Sequence, residues 1–453
     1  MSNVLIVVST KDWEAARASL FTDDGCENAG VFLCGISRDS SETRLLVRRF
    51  LPVSTEHYNQ RQEYHLEVSP RYYNHVIDEC LKDKLTPVII HSHPSHVEAW
   101  YSASDDFGES RLLPVLESLI PNSLPCSLVV TPTSVTGRRF VKKTFTALVG
   151  LKISGPSSAI IHFSPPDKTK LSPRHDRQIR AFGEEGQRLI SRLKVGVIGL
   201  GGIGSIVTEQ LARVGVRDFI LVDDDRIEDS NVSRIFCSSP KDVGAEKVEV
   251  IGACIKELGV NRLKLIAKSA VSQNVLMALR NRDLLLSCVD NDRTRAILNR
   301  FAHQYLIPLI DHGTRLDGTS GHIRASAGRV SVVGSGMTCL RCSHHLNPER
   351  IRAESLPKSE RRALAREGYI MGIDEPVPAV ATLNTVVGGL GATAALNLFV
   401  GLTGGPQPLG QIFDARNGTV FVASPVHQPG CDVCDELMGV KALGDAQIVS
   451  AYN

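Results

Sequence analysis

Four cysteines, two histidines and a run of glycines carry most of the chemistry that can be read from this chain. Cys339-Leu-Arg-Cys342 and Cys431-Asp-Val-Cys434 are two C-x-x-C pairs far apart in the sequence. Each offers two thiolates at the spacing of one tetrahedral edge, and four thiolates complete a closed, structural zinc site. Redox exchange is the other use of C-x-x-C, but two such pairs in one chain favour the metal. His344, His345 and His427 lie nearby and are expected to stand outside the site, because four thiolates already fill it. A second constellation begins where the apolar strand TPVII runs into His91-Ser-His93-Pro94, with Asp105 one loop later. Alternation along an extended segment points His91 and His93 the same way. Two imidazoles and a carboxylate leave one zinc position open for water, as a catalytic metal requires. Glu27, just ahead of the strand AGVFLCGI, could accept a proton from that water, and Ser102 could donate a hydrogen bond to a developing oxyanion.

The third constellation is Gly199-Leu-Gly201-Gly202-Ile-Gly204, which follows the strand LKVGVI and opens a helix. Glycine there lets the backbone turn tightly and lets phosphates approach the helix N-terminus. The next strand ends in Asp223, placed to hold a ribose hydroxyl. These features alone leave a nicotinamide dehydrogenase open. Asn231, Arg234 and Lys247 follow shortly, a basic set that hydride transfer does not need. An enzyme that stabilises charge on a triphosphate as pyrophosphate departs does need it. Asp290, at the end of a later strand, could hold a magnesium ion bridging phosphate oxygens. Asp224, Asp225 and Glu228 read better as caps or solvated charges.

GLGGIG, the DDD…SNVSR run, GAEKVE and the VDND turn resemble the adenylation domain of ubiquitin-activating enzymes. They also resemble the bacterial adenylyltransferases of molybdopterin and thiamine synthesis, the ThiF/MoeB/HesA group. The likeness spans roughly residues 172 to 440, and RHDRQI looks like the family's R-x-x-R-Q element. It implies that Gly199, Gly201 and Gly204 form the phosphate loop and that Asp223 holds the ribose. Asn231, Arg234 and Lys247 would contact phosphates or position the attacking carboxylate, Asp290 would carry Mg2+, and Arg177 would reach ATP from the opposite subunit of a homodimer. Bacterial members also carry paired cysteines in both places found here, stapling the C-terminal segment down. The N-terminal residues resemble the JAMM (Mov34/MPN-type) metalloproteases, with an upstream Glu, then H-x-H-P, then S-x-x-D. This implies His91, His93 and Asp105 as ligands of a catalytic Zn2+, Glu27 as general base and Ser102 as oxyanion helper. Eight residues separate His93 from Ser102 where that family has seven, which leaves Asp106 as a competitor for the third ligand.

These groups need elements to position them, and 453 residues call for more than one core. Residues 1–153 mix short strands with helices such as RYYNHVIDECLKD and are expected to form a JAMM-type α/β domain. A Pro- and Ser-rich linker, 154–171, follows. Residues 172–445 alternate apolar strands with helices, the pattern of a Rossmann-like, doubly wound parallel sheet. Asp317-Gly318 and Asn417-Gly418 signal hairpins, so antiparallel strands should extend that sheet. A charged segment, NPERIRAESLPKSERRALAREGYIMGIDEPVP, reads as an exposed crossover. Val377–Phe413 carries no charge, but its Pro378, Asn384 and Asn397 favour a buried helix over a membrane span.

The composition, 42% hydrophobic and 22% charged with a net charge of +2, is that of a soluble protein and argues for neither nucleic-acid nor membrane binding. Eleven cysteines in this layout, with no basic leader or cleavage site, favour a reducing cytoplasm. The charged crossover holds no cysteine to form a thioester, and Cys237, after SNVSR, is the least implausible remaining thiol. The chain is thus expected to stop at an acyl-adenylate, passed to an external thiol of a conjugating enzyme or sulfur donor. Its partner would be a ubiquitin-like protein ending in glycine, which the first domain processes or removes. Activation and trimming of a sulfur carrier for thiocarboxylate formation is the alternative, and an inactive scaffold is the third reading.

Overall fold

The computed structural model of the protein describes residues 3–163, 171–319, 321–367, 378–434 and 441–445. Residues 164–170 of the expected linker and 368–377 of the charged crossover lie outside these, as do 435–440 near the end of the expected second domain. The chain divides into two compact units. Among described residues the first takes those up to Ser154 with 158–163 and 441–445, and the second takes 155–157 and those from 171 to 434.

The first unit runs β1 (Asn3–Ser9), α1 (Thr10–Leu20), β2 (Ala29–Arg38), β3 (Glu42–Pro52), β4 (Tyr58–Arg61), β5 (Leu66–Val68), α2 (Pro70–Asp83) and β6 (Thr86–Ser92). It continues through α3 (Ala103–Leu119), β7 (Cys126–Val130), β8 (Val135–Val141), β9 (Thr144–Ala147), β10 (Gly150–Ser154) and β11 (Ala159–His162). Nine strands form one mixed sheet in the order β11-β10-β1-β3-β2-β6-β7-β8-β9, and β4 with β5 make a separate hairpin. The central strands read as unbroken apolar runs because helices cover both faces. Phe32 and Cys34 of β2, with Val88 and Ile90 of β6, pack with α1 through Trp13, Ala16 and Leu20. Val31, Leu33 and Ile89 face the other way, onto Tyr72, Val76 and Cys80 of α2 and Leu113 and Leu116 of α3.

Two parts of this unit differ from the sequence expectation. The stretch read as a linker from residue 154 begins with an edge strand, since β11 pairs antiparallel with β10. Residues 441–445, expected inside 172–445, pack into the first unit instead. Lys441 Nζ lies 2.7 Å from Asp12 Oδ2 in a buried pair, Gly444 bridges Ile36, and Arg38 N donates to Asp445 Oδ2 at 2.8 Å. Gly35 makes room for this tail, because a Cβ there would fall 2.1 Å from Ala442 O.

The second unit runs α4 (Asp176–Arg192), β12 (Lys194–Ile198), α5 (Gly202–Val214), β13 (Asp218–Val222), α6 (Asp229–Val232), α7 (Lys247–Glu257), β14 (Arg262–Ile266) and α8 (Gln273–Leu279). Then follow β15 (Leu284–Ser287), α9 (Asp292–Gln304), β16 (Leu309–Thr319), β17 (His322–Val333), α10 (Pro348–Ser355), α11 (Lys358–Arg366), α12 (Ala381–Val400), β18 (Gly410–Asp414) and β19 (Thr419–Ala423). The sheet order is β14-β13-β12-β15-β16-β17-β18-β19, parallel as far as β16 and antiparallel beyond it. This is a Rossmann-type sheet with the expected antiparallel extension. Asn417-Gly418 does close the β18–β19 hairpin, with Gly418 at φ +64°. Asp317-Gly318 does not turn; it takes up a register shift, and the β16–β17 hairpin closes later, at Thr319 paired with His322.

α12 is long and apolar enough to cross a membrane, and 61% of its most apolar window is buried within the protein. It packs on α5, β16, β17 and α4. Its polar residues are used inside the unit: Asn397 Oδ1 accepts from Thr403 N at 2.8 Å, and its Nδ2 donates to Gly405 O at 3.2 Å. A buried amide satisfied in this way avoids the penalty of lost hydration.

Candidate functional site

Strand order reverses beside β12, which has β13 on one side and β15 on the other. In an open parallel sheet such a point leaves a crevice at the strands' carboxyl ends. Gly199 leaves β12 at φ +87°, and a Cβ on it would fall 2.7 Å from Cys288 O. Gly204 in the first turn of α5 is tighter still, with a Cβ 1.9 Å from Gly199 O. Gly201 caps α5, and nothing lies within 4 Å of where its Cβ would be, so the space above the helix start is open.

Asp223 directly follows β13 and holds this loop: Leu200 N donates to its Oδ2 at 2.6 Å, and Asp225 N to its Oδ1 at 2.9 Å. Burial pushes its carboxyl above the usual range, against the pull of Lys247. Lys247 starts α7 with Nζ 2.7 Å from Asp225 Oδ2 and 3.8 Å from Asp223 Oδ1. Oxygens of Asp223, Asp224 and Asp225 lie close enough to share a cation, but backbone amides and Lys247 already occupy two of the three. Asn231 is buried in a capping box with Glu228, and Arg234 donates to Ser230 O at 2.7 Å while its own carbonyl lies beside Gly202. Asp290 is exposed three residues past the end of β15, one residue beyond Val289, which borders Gly199. Arg177 stands exposed on α4.

Asn384 reaches the glycine loop, a contact that sequence reading did not foresee. From the start of α12 its Nδ2 approaches Gly202 so closely that a Cβ there would lie 2.1 Å away. Its only signal was a polar side chain in an otherwise apolar run. Cys237, the least implausible thiol for transfer, is not free, since it is disulfide-bonded to Cys254. Cys288 is free but packed against His312, with Sγ 3.5 Å from Nδ1.

Cys339, Cys342, Cys431 and Cys434 converge. Sγ of Cys339 lies 3.7 Å from that of Cys431, and Sγ of Cys342 lies 3.6 Å from that of Cys434. Four sulfurs about 2.3 Å from one tetrahedral zinc would be about 3.8 Å apart, so the donor set fits a closed zinc site. Backbone amides of Cys342 and Gln428 point at Cys339 and Cys342 sulfurs at 3.5 and 3.4 Å, as thiolates require. His427 Nδ1 lies 3.2 Å from Cys434 Sγ, beside the set rather than in it.

In the first unit, His91 shares the β6 face of Ile89, which turns it toward α3. His91 Nε2 lies 3.2 Å from Asp105 Oδ1, while His93 Nε2 lies 3.7 Å from Asp105 Oδ2 and 3.5 Å from Glu27 Oε1. His91 Nε2 is buried without an aligned hydrogen bond. Two imidazole nitrogens and a carboxylate aimed at one point fit a divalent cation. Asp106, the competitor, pairs with Arg138 instead at the start of α3. Burial pushes the Glu27 carboxyl up to about 7 and holds His93 down to about 4. Asp105, against its burial, is held well below the carboxylate range by His91 and Ser102.

Ser102 is engaged with Asp105. Its Oγ donates to Asp105 Oδ2 at 2.8 Å and accepts from Asp105 N at 3.1 Å, capping α3 and aiming the carboxylate. The groups line a cleft of about 510 Å³. His96 lines it with Trp100 and Tyr64, its ring 5.5 Å and 6.1 Å from theirs.

The family model described as ThiF family matches residues 175–433, more than half the chain and wholly within the second unit. A "SAMP-activating enzyme E1" of Haloferax volcanii is 29% identical over 290 residues, 63% of this chain and 96% of its own. The "Molybdopterin-synthase adenylyltransferase" of Escherichia coli is 27% identical over 270 residues, 58% of this chain and 96% of its own. "Adenylyltransferase and sulfurtransferase MOCS3-1" of Drosophila pseudoobscura is 26% identical over 296 residues, 63% of this chain, which spans 59% of that longer protein.

Proposed function

Since the chain belongs to the ThiF family, we propose that its second unit adenylates the C-terminal glycine of a ubiquitin-like or sulfur-carrier protein. The observation that carries this is the glycine loop, Asp223 and Lys247 gathered at the switch point of the sheet. Open space above Gly201 and the N-terminus of α5 suit a phosphate group. Asp223 would hold the ribose, and Asn231, Arg234 and Lys247 would hold the phosphates while the carboxylate attacks the α-phosphorus and pyrophosphate leaves. Arg177 is assigned to the ATP of a partner subunit in a homodimer, which its exposure permits. Asp290 would hold Mg2+, which when bound neutralises phosphate charge. The acyl-adenylate passes to an external thiol, since Cys237 is tied up and Cys288 packs against His312.

For the first unit the reading is a zinc peptidase of the JAMM type acting on the same partner. His91, His93 and Asp105 would hold Zn2+, which when bound supplies an activated water. Glu27 would take that water's proton and deliver it to the leaving amine, and its burial beside His93 suits the task. Ser102 would serve the oxyanion only after turning from Asp105. The sulfur-carrier reading is favoured by the names of two relatives, and the conjugation reading by that of a third. The two C-x-x-C pairs favour the cytoplasm for either, while the Cys237–Cys254 disulfide is a bond that a reducing compartment disfavours. ATP–pyrophosphate exchange with ubiquitin-like proteins ending in glycine tests the first activity, and loss of exchange in Asp290→Ala is expected. Cleavage of a C-terminally extended form tests the second, and Glu27→Gln should abolish it; retained cleavage would sink that role.

A further inference from the structure

A buried chain of ion pairs runs beneath the Asp290 turn. Asp311, wholly buried on β16, accepts from Ser287 Oγ at 2.7 Å. Arg295 Nε lies 3.3 Å from its Oδ1, and Arg329 Nη2 donates to its Oδ2 at 2.8 Å. Gly313 leaves room for both guanidiniums, since a Cβ there would stand 3.3 Å from one and 3.7 Å from the other. Arg295 also reaches the turn itself. Its Nη2 donates to Val289 O at 2.7 Å and to His312 O at 3.1 Å, and its Nη1 to Asp292 Oδ1 at 3.3 Å. One side chain therefore holds the residues on both sides of Asp290-Asn291.

The other end of the chain reaches the cysteine segment. Arg329 Nη1 donates to His345 Nδ1 at 2.9 Å, three residues after Cys342. A guanidinium has no lone pair to offer, so His345 must present its unprotonated nitrogen. The same segment grips α9 at three more places. Leu340 N donates to Asn299 Oδ1 at 3.0 Å, Asn347 N to Asp292 Oδ2 at 3.1 Å, and Glu354 Oε2 accepts from Arg293 N at 2.7 Å. Burying three charges in this way stabilises a fold less than apolar packing of the same volume. Its use is better sought in the position it imposes.

We infer that His345, Arg329, Asp311 and Arg295 are positioning residues that fix the Asp290 turn, with the segment after the Cys339–Cys342 knuckle as their abutment. This rests on Asp290 as the magnesium carboxylate of the proposed adenylation. The clamp then acts on nucleotide chemistry as well as on folding, and His345 is a working part rather than a bystander.

The test is ATP binding by the full chain, followed by calorimetry at graded magnesium chloride, for wild type, His345→Leu, His345→Asn and Asp290→Asn. Asparagine can offer Oδ1 to Arg329 where leucine offers nothing. The leucine variant should raise half-saturating Mg2+ about tenfold, a typical coupling between sites, while asparagine restores it to within about twofold. Melting temperatures of the two variants should agree. Wild-type Mg2+ dependence in His345→Leu, or equal impairment in His345→Asn, overturns the inference while a displaced Asp290→Asn curve leaves the Asp290 reading standing. An Asp290→Asn curve that matches wild type overturns that reading, and the inference falls with it. Should His345→Leu fail to fold, Arg295→Lys is held to the same expectation, since lysine cannot reach Val289 O and His312 O together.

Discussion

Gly204 has no room for a side chain: a methyl group there meets the Gly199 carbonyl inside bonding-like distance. Gly204→Ala must therefore push the phosphate loop aside, at a cost of about 1–3 kcal/mol in stability, and ATP affinity should fall with it. Thermal unfolding and nucleotide titration of the purified variant check both, and an alanine variant that binds ATP normally contradicts the loop assignment. His91 and His93 were legible in the sequence because strand parity, set by Ile89, fixes the face they share. The choice of Asp105 over Asp106 was not, because it depends on where α3 begins and on Arg138 arriving from β8. The approach of Asn384 to Gly202 was equally hidden, since the two lie far apart in sequence. Glu27 sits beside the ligand set and not in it. Glu27→Gln is thus expected to lose cleavage yet keep its zinc, as metal analysis of the variant would show.

At the scale of elements, the helices and parallel strands around the two sites could be read from periodicity, because apolar faces and glycine turns are local signals. Pairing that depends on distant partners could not. β11 looked like a linker because its own four residues carry no strong pattern and only β10 makes them a strand. The C-terminal tail looked like part of the second unit because its pocket, made by Asp12, Gly35 and Ile36, lies more than four hundred residues earlier in the chain. Asp12 also receives the Ser9 hydroxyl, so Lys441→Met leaves a buried carboxylate with that hydroxyl and no cation. The loss should be on the order of 3 kcal/mol, read as a lower unfolding midpoint of the first unit. An unchanged midpoint would mean that the tail merely rests on the surface.

For the whole molecule, two metal-ligand sets of different character in two units predict two zinc ions per chain. His91→Ala should retain one, and Cys339→Ser with Cys431→Ser should retain the other, as elemental analysis of the dialysed variants can count. A wild-type ratio of one, kept by His91→Ala, would remove the catalytic zinc and with it the peptidase reading. The central claim is adenylation by the second unit. Its most direct test is ATP–pyrophosphate exchange by the full chain with ubiquitin-like proteins ending in glycine, comparing wild type, Asp290→Ala and Glu27→Gln. Exchange that depends on the terminal glycine, vanishes in Asp290→Ala and persists in Glu27→Gln is the predicted result. Exchange undiminished in Asp290→Ala, or none in wild type with any such protein, contradicts it.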